Sequence, residues 1–405
     1  MGTLRFLGAA LAVILLAPLA PLGCASAARG AAVPASLEAD AVVVGFPKSI
    51  RYFPRDAGHV KDFEDDYLAS LEAERDFLKL TTNELPPAAY LAISGGGDNG
   101  AFGAGLLEGW TKAGTRPEFK LVTGVSTGAL ISPFAFLGPA YDATLKALYT
   151  GISLHDIAEE RSLLSVLYND ALADTTPLRK LVKKYVTQEV LDAIAVEHTK
   201  GRILLVATAN LDVRRAVIWN VTEIAATRAP GALDLVQKIL IASAAIPGTF
   251  PPVMIDVEAN GHKYQEMHVD GGTAAQVFVY PAALQLHELF ERNRTLYVIR
   301  NARLDPEWAQ VDRRTLSIAF RAITCLIHSQ GVGDLYRIFA VAQRDHVDFN
   351  LAFIPPTFDT PHNAEFDRVY MKALFDVGYK MAADTQDWWH KRPPVLVSGV
   401  DQDSQ

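Results

Sequence analysis

Two glycine-marked turns constrain this chain more than any other feature of its sequence. "AISGGGDNGAFGAG" at 92–105 and "GVSTG" at 124–128 each follow an apolar run and each open a helix-like one. Glycine loses about 0.5–1 kcal/mol against alanine inside a strand or helix, so a triplet there marks a place where something must approach the backbone closely. The flanking runs set the fold class. "AAYLAIS" reads as a strand, residues 100–113 as a helix, "FKLVTGVS" as a second strand and "TGALISPFAFLG" as the start of a second helix. "RILLVATANL", "RAVIWNV", "TLYVIRN" and "VDFNLAFI" continue the series between long helical patterns. This alternation predicts an α/β layered fold around a largely parallel sheet.

Composition narrows the function classes. Half of the 405 residues are apolar and 21% are charged, as in ordinary globular proteins. The net charge of −8 gives no general basic field, so nucleic acid is not an expected partner.

The first 27 residues read as a signal peptide: Arg5, the apolar stretch "FLGAALAVILLAPLAPL" broken by Pro18 and Pro21, then the small residues "GCASAA". Leu22-Gly23-Cys24 resembles a bacterial lipoprotein box, with Cys24 as the lipidated first residue, and Ala25-Ser26-Ala27 is a rival site for ordinary cleavage. Either predicts export, with the cell envelope as the destination. Residues 28–87 read as an N-terminal extension, weakly patterned to about residue 60 and then an amphipathic helix carrying Phe63, Tyr67, Leu71 and Leu78. The carboxylates of that helix lack calcium-loop spacing and read as a solvated face. Cys325, in "LSIAFRAITCLIH", reads as a buried thiol, and two cysteines make no disulfide framework.

Gly124, Ser126 and Gly128 fit G-x-S-x-G, in which a tight strand-to-helix turn presents a serine hydroxyl to a substrate carbonyl. A serine attacking an ester creates a negative oxygen, and preorganised backbone N–H groups stabilise it by about 3–4 kcal/mol per donor. Gly95, Gly96, Gly97 and Gly100 are therefore candidates for an oxyanion loop beside Ser126. Gly95, Gly97 and Gly100 also spell G-x-G-x-x-G, but a dinucleotide site wants an acidic residue at the end of the next strand, where Gly124, Val125 and Ser126 stand instead. For the base, an α/β-hydrolase would use a histidine, and His287, His328, His346, His362 and His390 follow in suitable order; none lies in a glycine-marked turn. Asp270, ending a β-like run and followed by Gly271 and Gly272, is the alternative, against the plain reading of D-G-G as a turn.

GGG-x-x-G, then G-x-S-x-G with 29 residues from Gly97 to Ser126, then D-G-G with 144 from Ser126 to Asp270, together resemble the patatin-like phospholipase family. "ASAAIPGTFPPV" at 242–253 and "TPLRKLV" at 176–182 extend the likeness, which covers about residues 88–283, the rest to 405 being the C-terminal part of the same α/β domain. The resemblance implies a three-layer fold with helices on both faces of the sheet, and glycine loop and serine turn ending adjacent parallel strands. It implies Ser126 as nucleophile, Asp270 as base of a Ser-Asp dyad, and no metal or cofactor. Asn99 departs from the family, which often has Arg or Lys there.

Aspartate, with a reference pKa near 3.9, can serve as that base only if burial raises its proton affinity. The activity so implied is hydrolysis of fatty acyl esters, phospholipids among them, at a membrane surface, through an acyl-enzyme. Apolar helical stretches at 150–195 and 314–345 could line an acyl groove or simply pack on the sheet. Two alternatives stand beside it: a catalytically impaired envelope protein that binds lipid or a partner, and a lipid acyltransferase.

Overall fold

Residues 88–93, 119–125 and 203–210 are apolar at nearly every position, the pattern of strands covered on both faces. In the computed structural model, which describes residues 29–82, 84–160, 170–289, 291–384 and 388–394, they lie at the centre of one ten-stranded sheet. In chain order the strands are β1 (Val42–Val43), β2 (Arg51–Tyr52), β3 (Ala88–Ile93), β4 (Phe119–Val125), β5 (Glu159–Glu160), β6 (Ala173–Asp174), β7 (Ile203–Asn210), β8 (Arg215–Asn220), β9 (Val253–Ala259), β10 (His262–Asp270), β11 (Arg294–Arg300) and β12 (Val347–Phe353). The strands β12, β11, β3, β4 and β7 run parallel in that order. An antiparallel portion, β1, β2, β8, β9 and β10, extends the sheet beyond β7, while β5 and β6 pair separately.

Two apolar layers cover the sheet. One face packs against α2 (Gly100–Lys112), α3 (Thr127–Leu137), the helix Ala232–Ser243 and the C-terminal helix Arg368–Asp384. The other carries α1 (Ala57–Leu78), the segment around Val277–Leu286 and the second half of the long helix Thr315–Arg344. The expected three layers are therefore present. The remaining glycines of "GAFGAGLLEGW" belong to this packing. Side chains at Gly105 and Gly109 would collide with the backbone of Phe375 and Tyr379, so their absence lets α2 and the C-terminal helix cross closely.

Three expectations need correction. The stretch before α1 is no loose leader: β1 adds to β9, β2 adds to β8, and Arg51 is buried in an ion pair with Glu266 at 2.6 Å. Burial of that charge is tolerated because the pairing is two-pronged, through both carboxylate oxygens. The acidic face of α1 is not wholly solvated, since Glu74 is buried against Arg292 and Lys120. Cys325 is exposed, not buried. A 30-residue helix is about 45 Å long, more than the sheet can cover. Its first half leaves Ile318, Ile323 and Leu326 uncovered, and among the residues whose burial is described the buried positions begin at Gly331. The signal-like segment, with Cys24, lies outside the described residues. No helix among the described residues is long and apolar enough to cross a membrane.

Candidate active site

Ser126 and Asp270 are 144 positions apart, and β7 is what joins them. Along one edge β7 pairs with β8 from Leu205 onward, Leu205 to Asn210 facing Asn220 to Arg215. Its other edge is divided. The parallel β4 occupies it as far as Ala207, opposite Val125, and the antiparallel β10 takes over at Thr208, opposite Asp270. Two strands running in opposite directions along one edge must meet end to end, and the residues at the meeting point are Ser126 and Asp270. The Ser126 hydroxyl donates to Asp270 Oδ2 at 2.6 Å.

Ser126 stands at φ 55°, ψ −124°, a costly conformation for a non-glycine residue and the one a strand-to-helix nucleophile turn demands. Neighbours hold it there. Its amide donates to Ser243 Oγ at 3.0 Å, and that hydroxyl in turn donates to the Ala207 carbonyl. Gly124 and Gly128 pack against one another, and a side chain at Gly128 would collide with the Ile93 carbonyl. The turn is thereby pressed onto the end of β3, next to the glycine loop.

Asp270 is 5% exposed. Burial pushes its carboxyl up to about 7, against the opposing pull of hydrogen bonds from the Ser126 hydroxyl and the Gly272 amide. The Gly272 amide reaches Oδ1 at 2.7 Å and fixes the carboxylate plane, leaving Oδ2 for the serine. A close fit of Gly271 on the Ala207 carbonyl seats this turn on β7.

The glycine loop follows β3 and passes directly beside the serine: a methyl group on Gly95 would stand 3.1 Å from Ser126 Cβ. Of the four glycines assigned to an oxyanion loop, two have amides already engaged. Gly95 N–H donates to the Gln276 carbonyl at 3.0 Å, and Gly100 N–H turns back to the carbonyls of Gly97 and Asp98. Gly100 serves packing instead, where a side chain would strike Thr127 Oγ1 and the Tyr149 ring. The amides of Gly96 and Gly97 have no acceptor among the described residues. Gly96 is pressed against the Asn301 carbonyl, and Gly97 takes φ 59°. Of the four, Gly96 and Gly97 are the two whose amides are free to meet an incoming acceptor. Asn99 is neutral and accepts from the Tyr370 hydroxyl at 2.6 Å.

Several residues that build this site were absent from the sequence reading. Ser243 lay inside the recognised "ASAAIPGTFPPV" block, so its signal was present and unused. Gln276 and Asn301 had none: Asn301 ties the loop down through its side chain to the Ser94 carbonyl and its amide to Ser94 Oγ. None of the five histidines considered as bases is hydrogen-bonded to Ser126. His287 binds Asp345, and His362 binds Asp98 at 2.7 Å. Asp98, His362 and Glu365 bring possible ligand atoms within 4.8 Å of one another, but Asp98 Oδ2 already accepts from His362 and the Phe366 amide. An apolar cavity of about 230 Å³ is lined by Phe63, Ala207, Ala274, Val277, Ile338 and Val341, among others. Of the two helical stretches expected to line an acyl groove, 314–345 contributes to its wall and the described residues of 150–195 do not.

Residues 91–283 match the family model described as "Patatin-like phospholipase". No curated protein matches the chain. Among solved structures, VipD from Legionella pneumophila is similar at 12% identity and a TM-score of 0.37, over 73% of this chain and 66% of that one. A structure of full-length SpcU in complex with full-length ExoU from Pseudomonas aeruginosa gives 12%, 0.31, 74% and 52% in the same order. Human GIVD cytosolic phospholipase A2 gives 11%, 0.29, 71% and 51%. The chain thus spans between half and two thirds of the length of these proteins.

Proposed function

Because residues 91–283 are a patatin-like phospholipase domain, we propose that this chain is a serine acyl hydrolase that cleaves fatty acyl esters of membrane lipids through Ser126 and Asp270. The observation that carries the reading is the 2.6 Å bond from a strained, buried serine hydroxyl to a carboxylate whose proton affinity burial has raised. Such a carboxylate can take the serine proton near neutral pH, which an ordinary aspartate cannot do efficiently.

The steps follow from the atoms available. Ser126 Oγ attacks the acyl carbonyl carbon as its proton passes to Asp270 Oδ2, and the carbonyl oxygen becomes an oxyanion facing the amides of Gly96 and Gly97. Collapse breaks the bond to the alcohol oxygen, which leaves with the proton from Asp270. Water then attacks the acyl-Ser126 ester, giving one proton to Asp270, which returns it to Ser126 Oγ as the fatty acid departs. Proton return from Asp270 serves the alkoxide leaving group that an ester presents.

A lipid substrate is supported by the family match, and an apolar cavity with Ala274 and Ala275 in its wall has the volume for part of an acyl chain. Work at a bilayer is supported by the first half of the long helix and the loop before it. Trp308 is 88% exposed and Leu326 69%, an amount of uncovered apolar surface that a lipid interface would accept. The signal-like N-terminus, with lipidation at Cys24 or cleavage after Ala27, would put the enzyme at a bacterial envelope membrane. The Gly96 and Gly97 amides have no acceptor among the described residues, and Asn99 is engaged by Tyr370, which supports turnover over binding alone.

Incubating the protein with mixed phospholipid vesicles and analysing the lipids by mass spectrometry is expected to yield free fatty acids and lysophospholipids in equal amounts. Absence of both, across acyl chains and head groups, would contradict the proposal. The initial rate should rise with pH to a plateau, half-maximal near 7, as Asp270 loses its proton. A flat profile from pH 5 to 9 would remove Asp270 as the base.

A further inference from the structure

Arg300 ends β11 on the face of Leu296 and Val298 and is 2% exposed. Four other buried arginines have acidic partners, Arg51 with Glu266, Arg116 with Asp142, Arg202 with Glu197 and Arg292 with Glu74, and buried Arg294 donates to the carbonyls of Arg292 and Leu286. Arg300 has no acidic partner within ion-pair distance among the described residues. Asp334, one turn beyond the Gly331 that packs on the guanidinium, is engaged by the Gln276 amide and by Arg337. Among the described residues Arg300 makes one hydrogen bond, from Nη1 to the Gly95 carbonyl at 3.5 Å, and its Nε has no partner. Burial lowers its pKa to about 10, which still leaves it charged at neutral pH. An unpaired buried cation costs several kcal/mol of stability, so a fold that keeps one calls for a reason outside stability.

The reason lies in the peptide it touches. The Gly95 carbonyl also accepts from Ser94 Oγ at 2.7 Å, so it is held toward Arg300 and Ser94 together. A trans peptide is planar, with its C=O and N–H on opposite edges. Fixing the Gly95 carbonyl therefore fixes the Gly96 N–H pointing the other way, and Gly95 is the residue that lies against Ser126. The positive charge behind the carbonyl also aligns with the peptide dipole, raising the potential at the N–H end. From Gly95 to Gly100 the loop has no basic side chain and one acidic one, Asp98.

We propose that Arg300 is a positioning residue of the oxyanion site: it holds the Gly95 carbonyl so that the Gly96 N–H faces the reacting acyl oxygen, and it supplies the positive potential that the loop lacks. This rests on the reading of Ser126 as nucleophile. Because the oxyanion forms on every ester, the role is independent of the head group.

The test compares wild type with Arg300→Met and Arg300→Lys on a neutral p-nitrophenyl ester and on phosphatidylcholine vesicles. For Arg300→Met, kcat is expected to fall about 100- to 1000-fold on both substrates, as for loss of an oxyanion donor, with KM within about threefold. Its Tm should match or exceed that of wild type, since no ion pair is lost, and Arg300→Lys should recover at least tenfold in kcat. A Tm well below wild type, an unfolded Met variant, or unchanged kcat would overturn the proposal. So would a loss confined to the phospholipid and expressed in KM, which would mark Arg300 as a head-group contact. An inactive wild type ends both readings together, whereas an active wild type with an equally active Arg300→Met ends only this one.

Discussion

Replacing Asp270 by asparagine is expected to lower turnover by about 10³- to 10⁴-fold while making the folded protein more stable at neutral and alkaline pH. Asparagine keeps the shape and can still accept from the Gly272 amide, but it cannot take the Ser126 proton. The stability change follows from linkage. The folded-state pKa of Asp270 lies above its unfolded value, so the folded state binds the extra proton between about pH 4 and 7. Stability is therefore lost as pH rises through that window, and above it the native state must hold an unpaired, buried carboxylate. The displacement from 3.8 to about 7 corresponds to at most about 4 kcal/mol, of which relaxation around the site removes a share. The gain in Tm of Asp270→Asn over wild type should be near zero at pH 4 and largest above pH 7. A variant that is less stable than wild type at pH 8 would show that the carboxylate is held by attractions absent from this account.

Ser126→Ala is expected to have the larger kinetic effect, about 10⁴- to 10⁶-fold, because Ser126 carries the hydroxyl that donates to Asp270. The strained φ of 55° costs an alanine as much as a serine, so the backbone has no incentive to relax. The alanine variant should keep its fold. It also frees Asp270 of its hydroxyl partner, which raises the carboxyl further and shifts any residual pH dependence upward. Chromatography and circular dichroism matching wild type, with vesicle hydrolysis at background, is the expected pairing. Retained hydrolysis within tenfold of wild type would assign the chemistry to another residue.

How much of this was legible in the sequence depends on whether contacts are local or topological. The parallel centre was readable because β3, β4 and β7 are apolar runs between glycine turns and helical patterns, and a spacing of 29 residues leaves room for one βα unit between glycine loop and serine. Asp270 was visible as a turn acid. Its meeting with Ser126 was implied by the family resemblance and not by local pattern, since it requires β10 to add antiparallel to β7 where β4 stops. One clue was available: Asn260-Gly261, both at positive φ, closes the β9–β10 hairpin between alternating strands, a standard two-residue signal. The division of labour among the loop glycines was illegible, because Gly95 and Gly100 lose their amides to Gln276 and to the loop itself, contacts that no spacing rule reports. Arg300 was hidden for the same reason. An arginine ending an apolar strand looks like surface until the long helix covers it at Gly331. Cys325 shows the converse error, in which an apolar helical pattern was read as core although the helix outruns the sheet.

The central claim is that the hydroxyl of Ser126, made nucleophilic by Asp270, attacks an acyl carbonyl. Reaction with a fluorophosphonate followed by peptide mass spectrometry tests it most directly, with wild type and Asp270→Asn run side by side at pH 8. A single adduct on Ser126 in wild type, formed at least 100-fold more slowly in Asp270→Asn, is the result predicted. Active, folded wild type with an unmodified Ser126, or equal labelling of both proteins, would contradict it.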